Sequence, residues 1–80
     1  MNADNMLKLF SRNVKRLRLE AGISQEHLAQ RCSRYRKQIP QIEDGTVNVT
    51  LSMILALAEA LGVEPALLLQ ENPASQGAGQ

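Results

Sequence analysis

Apolar residues along this chain recur at helical spacing almost everywhere and alternate as in strands almost nowhere. Phe10, Val14, Leu17 and Ala21 fall at i, i+4, i+7 and i+11, the inward stripe of a first helix, and Gly22 offers a left-handed stop. Ser24 suits the cap of a second helix that turns Leu28, Ala29 and Cys32 inward. Ile39 and Ile42 mark a third segment that ends before Gly45. Thr50 can cap a fourth helix with Leu51, Ile54, Leu55, Ala58 and Leu61 on its apolar side, closed by Gly62. Pro65 is well placed as the first residue of a short fifth helix carrying Leu68 and Leu69. The pattern predicts an all-α, compact five-helix domain over residues 1–70. From Glu71 onward, ENPASQGAGQ has no large apolar side chain to offset its ordering entropy, so residues 71–80 read as a disordered tail.

Eighty residues make one small domain whose core is marginal alone, which favours an oligomer. The single cysteine, Cys32, excludes an internal disulfide and cannot hold a metal by itself. His27 lies five residues before it, off its helix face, with no acidic residue completing a ligand set. No cofactor or metal is expected. No paired carboxylates, nucleophile–base pair or phosphate-cradling loop points to an enzyme. No apolar run approaches the roughly 20 residues that cross a bilayer, and the expected location is cytoplasmic. Phe10 and Tyr35 alone are too few aromatics for a single-strand stacking platform.

Charge changes this picture. All nine Lys and Arg residues precede residue 38, against three acids (Asp4, Glu20, Glu26), a net +6. Residues 38–80 hold five acids and no base, a net −5. One half is suited to a polyanion and the other to something else.

The basic half contains a helix–turn–helix pattern formed by the second and third helices. Ala29 is small where two helices would cross. Ile39 and Ile42 would pin the third helix to the core, leaving Arg36, Lys37 and Gln41 as an exposed, donor-rich edge of the kind that reads bases in a major groove.

The motifs S-Q-E-x-L-A at 24–29, I-x-x-I-E-x-G at 39–45, Asn48 with Leu51, and A-x-A-L-G-V at 58–63 keep one register without a gap. In these the chain resembles the lambda-repressor-like (Xre/Cro type) helix–turn–helix family over about residues 8–70. The resemblance implies double-stranded DNA as partner, with Arg36, Lys37 and Gln41 facing base edges. It puts Gln25 on a phosphate at the start of the second helix, where free amides and the helix dipole help. Arg31, Arg34 and Asn48 are the further phosphate candidates. It also pairs Arg18 with Glu43 as a structural tie between the first and third helices.

Three residues depart from that pattern. Pro40 falls inside the recognition helix, where an interior proline costs ~3 kcal/mol or more. The escape is a helix that begins late, near Lys37 or Gln38. Ser33 replaces a turn glycine, which implies an altered or longer turn. The loop TVNVT after Gly45 has no basic residue to clamp a phosphate.

Two functions from different classes fit. The first is a sequence-specific transcriptional regulator, acting as a homodimer on a palindromic operator. Leu67, Leu68 and Leu69 form its expected dimer surface because all three cannot turn inward. The alternative is a protein-interaction module, an antitoxin or adaptor, whose C-terminal half binds a protein partner while DNA binding is weak or lost.

Overall fold

Asn2 opens the first helix, its side chain accepting the amide of Asn5 at 2.8 Å. This helix, α1, runs Ala3–Glu20 in a computed structural model that describes residues 2–71. Phe10 and Val14 are buried and Leu17 packs against the core, as their spacing requires, while Ala21 is the exposed C-cap and not part of the stripe. Gly22 takes φ 73°, where a side chain would be strained, and lets the chain reverse. Ser24 then caps α2, Gln25–Arg31, by accepting the amide of His27 at 3.0 Å. Leu28, Ala29 and Cys32 are buried. The Cys32 thiol lies 3.6 Å from the Ala56 carbonyl, and burial pushes its pKa up, as for a small core hydrophobe.

The turn that follows is the altered one that Ser33 implied. Among the described residues only glycines have positive φ, so no left-handed residue closes it. Ser33–Gln38 instead winds as a 3-10 segment, kinked at Tyr35. The Tyr35 amide bonds the Cys32 carbonyl at 2.7 Å. The next helix, α3, spans Ile39–Asp44, so Pro40 lies in its first turn, where an absent N–H leaves no bond unmade. Pro40→Ala should therefore move stability by no more than about 1 kcal/mol. A thermal melt checks this, and a gain of more than about 8 °C would mean that the proline strains the helix after all.

Thr50 caps α4, Leu51–Leu61, by accepting the Met53 amide at 3.1 Å. Gly62 ends it at φ 70°. The expected fifth helix is a 3-10 segment, Pro65–Leu69, so the five-helix count is corrected to four α-helices and two 3-10 segments. Its bonds run i to i+3, Leu67 to Glu64 and Gln70 to Leu67, and Gln70 is already extended. Five residues opened by proline give too few bonds to sustain an α-helix. No strand occurs among the described residues. Of the expected tail, all but Glu71 lies outside the described residues.

One core joins these elements. Phe10, Val14, Leu28, Ile39, Ile42, Leu57 and Leu68 are fully enclosed. Asn13, buried on α1, donates to the carbonyls of Leu68 at 2.9 Å and Gln70 at 2.8 Å, which holds the last segment against α1.

Candidate nucleic-acid interface

Ile39 and Ile42 anchor α3 with no exposed surface, and Tyr35 anchors the 3-10 segment before it. Around these anchors the chain turns Arg34, Arg36, Lys37, Gln38 and Gln41 to solvent. Gln41 stands on α3, whereas Arg36 and Lys37 belong to the 3-10 segment. The late helix start thus moves both cations off the helix on which the sequence placed them. Arg34 lies over the Tyr35 ring at 5.3 Å from its centroid, a cation–π contact that steadies the turn.

Arg18 and Glu43 form the tie between α1 and α3. Nε donates to Oε2 at 2.7 Å and Nη2 to Oε1 at 3.1 Å, a two-point contact with both side chains almost dry. The third guanidinium nitrogen donates to the Ile23 carbonyl at 2.9 Å. Gln25 joins the same group, its amide nitrogen donating to Glu43 Oε1 at 3.0 Å. The residue expected on a phosphate thus commits one amide N–H inside the protein. Arg31 is also engaged elsewhere: Nη1 donates to the Ala60 carbonyl at 3.0 Å, at the end of α4 where a cation suits the helix dipole. Asn48 is exposed in the loop before α4.

The expected dimer surface needs correction. Leu68 has no exposed area and belongs to the core, while Leu67 and Leu69 are each partly open, Leu69 packing against that core. The large apolar side chains exposed instead are Leu19, Leu51 and Leu55. Leu51 and Leu55, 84% and 52% exposed, lie one turn apart on α4, where the sequence had turned them inward. Nine of the eleven α4 residues are apolar, so periodicity could not choose its buried face. Among the described residues no group of three or more His, Cys, Asp or Glu could hold a metal.

A family model described as a helix-turn-helix domain matches residues 9–70. The chain belongs to that helix-turn-helix family. The control protein C.BamHI of Bacillus amyloliquefaciens is 43% identical over 67 residues, covering 82% of this chain and 83% of its own. The crystal structure of the restriction-modification controller protein C.AhdI from Aeromonas hydrophila superposes with a TM-score of 0.72 at 40% identity, over 78% of this chain and 94% of the other. That of a hypothetical transcription factor, NHTF, from Neisseria gives 0.80 at 28% identity, over 100% and 92%. This helix-turn-helix protein is a DNA-binding transcription regulator, and its family is not one of enzymes.

Proposed function

We propose that the protein is a sequence-specific regulator that binds a palindromic operator as a homodimer and controls the genes of a restriction–modification system. One observation carries the DNA reading: a row of exposed cations and amides, Arg34 to Gln41, on a segment anchored by Tyr35, Ile39 and Ile42. The controller role rests on likeness to C.BamHI and C.AhdI. Arg36, Lys37 and Gln41 meet base edges, while Arg34 and Asn48 are the phosphate contacts whose side chains stay exposed. Gln25 and Arg31 each keep N–H donors beyond those bonded to Glu43 and Ala60, and with these they join the phosphate contacts.

A single short reading segment discriminates too few base pairs for a genomic search. A two-fold pair spaces two such segments about 34 Å apart along the duplex. The exposed pair Leu51 and Leu55 is the surface for a second copy. Among the described residues no helix is long and apolar enough to cross a membrane, and the work of such a regulator is cytoplasmic.

Selection of bound duplexes from a random pool at near-physiological salt tests the proposal. A palindrome should emerge. A flat pool from folded protein would favour the interaction module, a reading that gains from Gln25 being held by Glu43. On the selected operator, Arg36→Ala should cost about 1–3 kcal/mol and relax preference at one position, whereas Arg34→Ala should weaken all duplexes alike. Competition binding against single-base variants separates the two, and equal loss on every duplex from both would remove Arg36 from base reading.

A further inference from the structure

Residues 46–50, the loop after α3, carry no lysine or arginine, yet the neighbouring face of α1 does. Lys8 and Arg12 stand one turn apart, both exposed, and neither makes an ion pair among the described residues. They border a recess of about 480 Å³ between α1 and the C-terminal end of α3, walled by Ser11, Asp44, Gly45 and Glu71. Ser11 is only 4% exposed, and its hydroxyl is the one buried side-chain polar atom among the described residues that lacks a hydrogen-bond partner. An orphaned buried hydroxyl is costly, and its lack of a partner wants a reason. Gly45, at φ 74°, lies close enough that a Cβ there would come 3.2 Å from Ser11 Oγ, so the corner of α3 seats directly on this hydroxyl. Glu43 lines the recess as well, and its carboxylate holds Gln25 at the start of α2. The recess is therefore linked through Glu43 to the start of α2.

We propose that Lys8 and Arg12 bind a phosphate of the DNA backbone at this recess, with the Ser11 hydroxyl as a third donor, in place of a basic loop. The inference rests on the DNA-binding reading above. Two cations one turn apart match a single phosphodiester and release its counterions. Asp44 and Glu71 oppose the anion from the same walls, so the site is tuned below its full strength.

The test uses the full chain and a labelled mixed-sequence duplex, titrated between about 50 and 200 mM salt. The double variant Lys8→Gln/Arg12→Gln should bind roughly tenfold more weakly at the lower salt, with a slope of log K on log salt shallower by up to about 2. Its melting temperature should be that of the parent, because both side chains are exposed. Ser11→Ala should bind the duplex several-fold more weakly while melting no lower than the parent, and Asp44→Asn should bind it more tightly. A double variant with the parent's affinity and slope overturns the site while leaving DNA binding intact. A parent chain that is folded but binds no duplex overturns the underlying reading instead. Inorganic phosphate alone raising the parent's melting temperature, and not the double variant's, with duplex affinity unchanged between them, assigns the recess to a free anion and overturns the backbone contact.

Discussion

Glu43→Ala should lower the unfolding free energy by about 3–5 kcal/mol, the largest loss of any single polar substitution in the domain. The carboxylate accepts two bonds from Arg18 and one from Gln25, and the two charged side chains are 9% and 2% exposed. Alanine removes both acceptor oxygens, and with them all three bonds, and leaves a guanidinium held only by the Ile23 carbonyl. The price is the stranded charge, not the worth of the pair. Proteins are stable by about 5–15 kcal/mol in total, so the loss is a large share of what holds the domain folded. Glu43→Gln, which keeps the shape and one acceptor, should fall between, and the double change Arg18→Met/Glu43→Leu should recover most of the loss because nothing charged remains buried. Urea unfolding of the four proteins measures these differences. A Glu43→Ala loss below about 1 kcal/mol would mean that water reaches the pair and screens it.

This pair also shows where the sequence was legible and where it was not. The caps Ser24 and Thr50 and the stops Gly22, Gly45 and Gly62 were readable because each acts on backbone groups within four residues of itself. Ile39 and Ile42 were readable as anchors from their spacing. Arg18 with Glu43 came from the family resemblance, since no local rule joins residues 25 apart. The third member, Gln25, escaped because its residue type serves equally as a phosphate donor. Pro40 forbade one helix and allowed a late one, and the backbone chose the second by winding Ser33–Gln38 as 3-10. Arg31 was read as a phosphate candidate, and its bond to Ala60 was missed because a carbonyl partner leaves no mark in a sequence. Leu68 was misplaced for a related reason: once Pro65–Leu69 winds as 3-10, three residues per turn, its side chains point in directions that an α-helical wheel does not give.

Leu51→Glu/Leu55→Glu should turn the proposed dimer into a monomer at micromolar concentration and reduce affinity for a full palindrome by a hundredfold or more. Burying a leucine gains about 1.5–3 kcal/mol, and in a two-fold interface each substitution acts twice. Association must first offset at least 4 kcal/mol of lost rigid-body freedom, so an interface without these four side chains has little surplus. Each 1.4 kcal/mol is tenfold, which makes a rise of two to three decades in the dimer dissociation constant the modest expectation. The fold should survive, because both positions are exposed in the single chain and neither belongs to its core. Sedimentation of parent and variant gives the oligomeric state, and binding to full and half palindromes gives its consequence. The variant should bind the two DNAs with nearly equal affinity, while the parent prefers the full site. A dimer that persists with both glutamates in place would move the interface to the partly open Leu67 and Leu69, since Leu68 has no surface left to offer a second copy.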